Sequence, residues 1–421
     1  MRNLRQSVPF NPAEPKAALA QLPALAAVFA LYGADERAEP YVGRTPNLRA
    51  RLARLLQPSP KHPRRLQLAG LVRRIEFQLT GSEFESLLAQ FNLLHEVYGQ
   101  KSLEIMHLRA PAFVRFLGSN RYPRVVVTHR PSQREGEWAY GPFASRAAAE
   151  RYVEEALKLF LLRRCVEELD PNPAHPGCVY SEMKMCLAPC YQGCTDERYA
   201  EEAVAVEQFL ATRGERQLVT LRAQRDEASA SLAFESAAAL HAQVQRAEAV
   251  RALAPEMVRP QSRLRAIVLQ PSTNPAEVSV FVFDRGRLAG PAAFSTMGMR
   301  IQNEQSGSSS LFAQPVAVEA IPEVAEAGTE ADAPAAPIRI PRGVLEARLE
   351  EALALVAEER EPSAAVRQGH LALLKRWYYR PETRRSGEIF FPDEDDAWPL
   401  KAVLRGIGRV AVKAMQLAQN P

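Results

Sequence analysis

The sequence of 421 residues predicts an α+β multidomain protein. A chain of this length is expected to form about two to four separate cores. The first third alternates strand and helix patterns, whereas residues 198–253 carry helical patterns only. All five cysteines fall in one short stretch, from Cys165 to Cys194. Together these observations predict a small α/β domain, a cysteine-rich helical region, a helical hairpin, a small β segment and a helical tail.

The composition is that of ordinary soluble globular proteins, with 47% hydrophobic and 24% charged residues. The formal net charge is only +4, so any affinity for nucleic acid must come from local clusters of charge. Residues 1–10 lack the apolar run of a signal peptide, and no uninterrupted apolar stretch is long enough to span a bilayer. We therefore expect a cytoplasmic protein without a membrane partner.

A basic strand–turn–helix segment occupies residues 41–56, with Asn47 as a candidate N-cap. Leucines at i, i+4, i+7 and i+8 from position 48 give this helix one apolar face. From residue 41 to residue 74 there are nine Lys or Arg and no Asp or Glu. A surface helix usually carries both signs, so this run indicates a polyanion partner. The candidate DNA-binding residues are Arg44, Arg49, Arg51 and Arg54.

Turn residues and shifts in composition divide the rest of the chain. Ser82 with Glu85 has the form of a capping box at the start of a helix over residues 82–94. Residues 302–338 hold six acidic and no basic residues, a composition typical of disorder. The predicted regions are a flexible lead-in (1–23), a small α/β domain (24–110), a β/helical region with the cysteine cluster (111–200), a helical hairpin (201–256), a β segment (257–300), a disordered acidic linker (301–340) and a helical tail (341–421).

The cysteines form a candidate metal centre, since disulfides are disfavoured in a reducing compartment. Four of them follow the spacing C-x12-C-x7-C-x3-C, and Cys194 stands outside it. Thiolates are soft ligands that suit an iron–sulfur cluster or zinc. Structural zinc sites usually have a close cysteine pair at each end, whereas this spacing has only one. From the residues alone a cluster, zinc and buried free thiols all stay open.

Three segments together resemble the UvrC-like excinuclease family. Residues 41–52, Y-V-G-R-x-x-N-L-R-x-R-L, resemble the second half of the GIY-YIG nuclease signature, and Ala27-Val28-Phe29 stands where the first half belongs. Residues 178–190, with C-V-Y and C-L-A-P-C, resemble the UvrC cysteine region, and residues 232–244 resemble the UVR motif. The order matches UvrC over about residues 24–296, and the RNase H-like half of the family is missing, as in Cho-type short homologues.

The resemblance implies a cofactor and two partners. The four cysteines of the motif would hold a four-iron four-sulfur cluster (4Fe-4S), and these are Cys165, Cys178, Cys186 and Cys190. The partners would be DNA and a UvrB-type protein, the second bound through an exposed face of the UVR hairpin. The candidate partner-binding residues are Phe234, Glu235 and Leu240.

The resemblance also implies a nuclease site, for which the motif supplies only part of the chemistry. GIY-YIG cleavage uses a tyrosine near the water, an arginine on the phosphate, one glutamate for Mg²⁺ or Mn²⁺, and an asparagine. Candidate catalytic residues by motif position are Tyr41, Arg44 and Arg51. Three positions depart from the family: Phe29 for a tyrosine, Gln90 for the glutamate and Ser102 near the asparagine. Phe29 has no hydroxyl, and Gln90 offers a neutral oxygen where a hard cation prefers a carboxylate.

These departures leave three hypotheses. The first is a UvrC-like repair protein that binds DNA and a UvrB-type partner and whose nuclease site has decayed. The second is an active Cho-like endonuclease making one 3′ incision near lesions, which would need Tyr32 or Tyr41 as base and Glu83 or Glu85 at the metal. The third is an adaptor that acts through the hairpin alone.

Overall fold

The computed structural model describes the chain except for residues 1–3, 5, 36, 57–67, 131–136, 300–339, 357–360, 394 and 420–421. The chain forms two compact units. One comprises residues 1–108, 265–373 and 380–421, and the other comprises residues 109–264 and 374–379. The predicted acidic linker lies almost entirely outside the described residues. Among the residues described, no helix is both long and apolar enough to cross a membrane.

The N-terminal part of the first unit is a four-stranded antiparallel sheet with helices on both faces. Its strands are β1 (Gln6–Pro9), β2 (Ala27–Tyr32), β3 (Tyr41–Thr45) and β4 (Arg74–Leu79), in the order β1-β4-β2-β3. Its helices are α1 (Pro15–Gln21), α2 (Leu48–Leu56), α3 (Glu83–Tyr98) and α4 (Lys101–Ile105). One face of β2 packs with α1 and α2, and the opposite face packs on α3, because successive strand residues point to opposite sides.

The predicted flexible lead-in is wrong for most of residues 1–23. Strand β1 pairs with β4, and Leu19 and Leu22 are buried in the core beneath α2. The prolines, which suggested a loose segment, instead mark the ends of short elements. Strand β1 ends at Pro9, and helix α1 begins at Pro15. An edge strand is held in place by hydrogen bonds to a strand that is distant in sequence. Local composition does not reveal such a partner.

Two predicted helix starts are confirmed. The Asn47 side chain accepts a hydrogen bond from the Ala50 amide at 2.9 Å and caps α2. Before α3, Ser82 Oγ accepts from the Glu85 amide at 3.1 Å, while Glu85 Oε2 accepts from the Gly81 amide at 2.9 Å. These caps fix where the two helices leave the sheet.

The second unit contains another antiparallel sheet, which packs against helices. Its strands are β5 (Ala112–Leu117), β6 (Arg124–Thr128), β7 (Glu137–Phe143) and β8 (Arg259–Pro260), in the order β6-β5-β7-β8. Its helices are α5 (Arg146–Ala156), α6 (Val179–Glu182), α7 (Asp196–Ala211), α8 (Glu215–Ala230) and α9 (Phe234–Ala252). Tyr152 of α5 and Phe209 of α7 are buried in its core. Helices α8 and α9 form the predicted hairpin, but residues 201–211 belong to α7 and the core instead.

The C-terminal part of the first unit is a third antiparallel sheet covered by helices. Its strands are β9 (Ala266–Pro271), β10 (Glu277–Asp284), β11 (Arg287–Ser295) and β12 (Glu388–Phe390), in the order β11-β10-β9-β12. Its helices are α10 (Arg342–Val356), α11 (Ala364–Tyr378), whose last five residues belong to the second unit, and α12 (Leu400–Gln419). The sequence predicts a separate β segment and helical tail, whereas β12 pairs with β9 and makes them one C-terminal module.

Candidate functional site

The strand pair β2–β3 carries both halves of the nuclease-like signature. Phe29 lies directly opposite Gly43 and is completely buried. A Cβ on Gly43 would lie 2.7 Å from Cζ of Phe29, so the ring occupies the space above the glycine. The Tyr41 ring stands 6.2 Å from the Phe29 ring and is 37% exposed. The position expected to hold a catalytic hydroxyl is therefore a packed core position, whereas Tyr41 brings a phenol to this surface.

The four candidate DNA-binding arginines have different surroundings. Arg44 points to the α3 side of the sheet, with Nη2 3.8 Å from Glu83 Oε1. Arg49 Nε donates to the Leu22 carbonyl at 2.6 Å, which ties α2 to the end of α1. Arg54 Nε donates at 3.3 Å to the Ala50 carbonyl of its own helix, and Arg51 is half-buried. Arg44, Arg49 and Arg54 are all exposed, and the contact of Arg49 also joins α2 to α1.

Helix α3 presents no unoccupied carboxylate at the expected metal position. Gln90 is half-buried and lies two turns beyond Glu83, about 10 Å along the axis. Both oxygens of Glu83 accept from Arg380, at 2.7 and 2.9 Å, and Glu83 also faces Arg44. The Glu85 carboxylate is buried in the cap of α3. Both carboxylates that could replace the family's glutamate are therefore engaged by the protein itself.

The remaining residues of the expected nuclease site also have structural partners. Tyr32 donates to the Glu76 carboxylate, and the Arg74 guanidinium lies 4.4 Å from its ring centre. Burial and then the Glu76 carboxylate raise the pKa of Tyr32, so its phenol is held more firmly in the protonated form. Ser102 is fully buried, and its Oγ donates to the Gly99 carbonyl at 2.7 Å.

Arg380 is a site residue that the sequence analysis missed. It lies after α11 in the C-terminal module, 297 positions from Glu83. The same module reaches α3 through His370, whose Nε2 contacts Asn92 Oδ1 at 2.9 Å while Nδ1 accepts from the Leu288 amide. Phe84 of α3 also packs edge-on against Phe281. No local signal predicts these pairs, because each partner is ordinary in its own segment.

The cysteine loop between α5 and α7 brings four thiols near one another. Burial raises the pKa of Cys186, and the thiols of Cys165, Cys178 and Cys190 raise it further. Burial likewise raises the pKa of Cys190, with Cys178 and Cys165 adding to the effect. By contrast, the charged neighbours of Cys194 are Asp196 and Arg198.

Backbone contacts hold this loop in its irregular path. The Leu187 amide donates to the Leu161 carbonyl at 2.9 Å, and the Asn172 amide donates to the Cys190 carbonyl at 2.9 Å. Ala188 adopts a left-handed backbone conformation with φ 53°, and its amide directs a hydrogen bond toward Cys186. Even so, within the described ranges no three His, Cys, Asp or Glu side chains are arranged to hold a metal ion.

The helical hairpin exposes an apolar tip. Leu232, in the left-handed region with φ 60°, is 71% exposed, and Phe234 at the start of α9 is 66% exposed. Glu235 beside it is also exposed. Leu240 differs, because it is half-buried against the small core between α8 and α9. Leu232 was not among the contact residues predicted from the sequence.

The comparisons agree with the motif resemblance over part of the chain. Residues 113–211 match the family model for the UvrC/Cho excinuclease middle domain, which corresponds to β5 through α7. The UvrABC system protein C of Alcanivorax borkumensis is 29% identical over 254 residues, covering 60% of this chain and 41% of the relative. The protein of the same name from Aromatoleum aromaticum is 30% identical over 246 residues, with 58% and 40% covered.

A third relative, from Symbiobacterium thermophilum, is 29% identical over 260 residues, with 61% of this chain and 41% of the relative covered. The chain thus spans about two fifths of the length of the curated relatives it matches. No solved structure matches the chain. The resemblance to the UvrC-like excinuclease family is confirmed, with a UvrC/Cho-type middle domain at residues 113–211.

Proposed function

We propose that this protein is a UvrC-like nucleotide-excision-repair protein that binds DNA and a UvrB-type partner and does not cleave DNA through its nuclease-like site. The surroundings of the carboxylates on α3 are the observation that supports the absence of cleavage. Gln90 stands at the expected ligand position, and the neighbouring carboxylates of Glu83 and Glu85 are held by Arg380 and by the helix cap. A divalent cation would lack the one carboxylate that the reaction needs.

Loss of metal binding does not remove affinity for DNA. Contacts to phosphate depend on positive charge and do not require the metal ligand. Arg44, Arg51 and Arg54 lie on or next to one short helix, and α2 itself contains no acidic residue. The α2 surface is therefore the proposed binding site for the polyanion partner that the sequence indicates.

The alternative is an active Cho-like endonuclease, favoured by the retained Tyr41, Arg44 and Arg51. The deciding experiment is a nicking assay on a lesion-bearing duplex with UvrA and UvrB and with Mg²⁺ or Mn²⁺. We expect incision no higher than in a reaction without this protein. Incision that disappears in an Arg51→Ala variant would overturn the proposal and favour the endonuclease.

We also propose that Cys165, Cys178, Cys186 and Cys190 hold a four-iron four-sulfur cluster, with zinc as the alternative. Support comes from the donor set of four soft thiol sulfurs, in which Cys165 and Cys178 contribute to raising the pKa of both Cys186 and Cys190. A bound cluster would cross-link a loop that has little regular structure. It would also supply an electron-transfer centre. Protein purified without oxygen should be brown, whereas colourless protein loaded with zinc would favour the alternative.

The UvrB-type partner is assigned to the tip of the hairpin. Leu232 and Phe234 expose two large apolar side chains side by side, and Glu235 adds a charge at their edge. Exposed aromatic anchors of this kind are typical of protein interfaces. Leu240 would act indirectly, by packing α8 against α9 and so fixing the position of the tip.

A further inference from the structure

Helix α12 of the C-terminal module carries a basic row. Its basic residues recur at every fourth position, and the helix contains no Asp or Glu. They are Lys401, Arg405, Arg409 and Lys413, and all four are exposed. Side chains four residues apart are neighbours on a helix surface. The row is therefore about 18 Å long at 1.5 Å per residue.

Three of the four charges remain available to a ligand. Arg409 donates to both oxygens of Glu388, at 2.7 and 2.6 Å, which anchors α12 to β12. Arg405 Nε makes only a hydrogen bond of 3.3 Å to the Lys401 carbonyl of its own helix. Within the described part of the chain, no ion pair involves Lys401, Arg405 or Lys413.

Most of the long helices carry both signs of charge, although α3 has glutamates without Lys or Arg and α11 has Lys and Arg without an acidic residue. Helix α7 has five acidic residues beside Arg198, and α10 mixes Arg342 and Arg348 with three glutamates. A helix that serves only as a solvated surface generally carries both signs. The row on α12 thus indicates a polyanionic partner.

The opposite face of α12 decides which polyanion fits. Val403, Leu404, Ile407 and Val410 are buried in the core of the C-terminal module. Helices that lie in a membrane interface insert a free apolar face, and α12 has none to offer. A row of cations above a buried apolar face is suited to a ligand bound by charge alone, which is the property of a nucleic-acid backbone.

We propose that α12 is a second nucleic-acid contact surface, where Lys401, Arg405 and Lys413 bind phosphates of the DNA backbone. This surface is separate in sequence from α2, and it would extend the contact with DNA to the C-terminal module. The inference deepens the proposed DNA-binding function and rests on it.

The test measures the affinity of the full-length protein for a fluorescein-labelled DNA duplex at several salt concentrations. The test variant combines Lys401→Ala, Arg405→Ala and Lys413→Ala, which are favourable replacements on a helix surface. The control combines Arg146→Ala, Lys158→Ala and Arg198→Ala, which removes the same charge from residues held in ion pairs of the second unit. Thermal melting checks that both variants fold. If the triple variant does not fold, a double variant with Lys401→Glu and Lys413→Glu replaces it.

We expect the test variant to bind about tenfold more weakly near physiological salt, and the control to change less than about twofold. The slope of log affinity against log salt should shrink by about 2 to 3, since each phosphate contact contributes about 0.9. Equal weakening of both variants would overturn the inference by assigning the effect to net charge.

Three further outcomes separate this inference from its alternatives. If the test variant loses binding to phosphatidylserine vesicles and keeps its DNA affinity, the surface binds membranes and the inference is wrong. If wild type binds DNA and the test variant binds equally well, only the role of α12 fails. If wild type does not bind DNA at all, both the proposed function and the inference about α12 are wrong.

Discussion

The nuclease-like site and the cysteine loop have changed in opposite ways relative to the family that the chain resembles. Around the nuclease-like site the framework is regular, with the β2–β3 register and both helix caps in place, but Phe29 and Gln90 stand where the resemblance implies a tyrosine and a glutamate. In the cysteine loop the backbone is irregular, yet all four motif thiols are present and near one another. A framework and its chemistry can therefore be retained separately.

The physical reason is that the two sites depend on different interactions. Phe29 fills the space above Gly43 with its ring, so the core at this point needs an aromatic ring and not a hydroxyl. The cysteine loop has no comparable core: Ala188 and Cys190 are buried, but most residues between 166 and 187 are not. Backbone contacts such as that from the Leu187 amide to the Leu161 carbonyl hold this loop, and the proposed cluster would add further bonds.

The largest effect that would test this comparison is expected from loss of one thiol of the cysteine loop. In a Cys186→Ser variant, iron content should fall from about four per chain to well below one, because the cluster needs four thiolates. Iron and sulfide analysis with visible absorption measures the change. Cys194→Ser is the matched control and should keep its colour and iron. Equal loss in both variants would contradict the assignment of Cys194 outside the ligand set.

The next effect concerns the nuclease-like site and is a gain of activity. A Phe29→Tyr, Gln90→Glu double variant restores the hydroxyl and carboxylate to the retained framework. With Mn²⁺ we expect nicking of supercoiled DNA to rise about 100-fold over wild type, within the usual contribution of a general base. Gln100→Glu, at an exposed position, controls for the added charge. A folded double variant without activity would mean that the framework has lost its catalytic geometry as well.

The smallest effect concerns how the C-terminal module holds α3. Burial lowers the pKa of His370 to about 3, with Arg287 and His95 acting in the same direction. The folded protein therefore resists protonation of His370, whereas the unfolded chain accepts the proton near pH 6.5. The stability that depends on neutral His370 is present above pH 6.5 and is lost as the pH falls toward 3.

Between pH 6.5 and 5.5 this effect amounts to about 1 kcal/mol of the free energy of unfolding. Urea titrations of wild type and His370→Gln measure it, and the variant should lack that part of the pH dependence. His241→Gln, on the exposed surface of α9, should retain it. Identical pH profiles for wild type and His370→Gln would show that His370 is accessible to protons in the folded protein.

Much of the local structure could be predicted because it depends on neighbours in sequence. The apolar spacing of α2, the Asn47 cap and the Ser82–Glu85 capping box all act within one or two helical turns. The hairpin of α8 and α9 was predictable for the same reason. The grouping of the thiols was expected from their spacing, although not the backbone contacts that bring them together.

Elements that depend on distant partners were not predictable. The order of residues 6–21 comes from pairing with β4, and the C-terminal module exists because β12 pairs with β9. Nothing near Glu83 in the sequence indicates that Arg380 binds it. Such contacts join segments separated by tens to hundreds of residues, and each segment alone is compatible with several arrangements.

The sequence by itself determined which chemical groups this protein has. It places a phenylalanine and a glutamine where the nuclease motif needs a tyrosine and a glutamate, and it supplies four thiols at motif spacing. Only the tertiary structure decided whether other groups could compensate, because that depends on which side chains meet across the fold. Glu83 and Glu85 have the carboxylates that the site lacks, and long-range and capping contacts engage both of them.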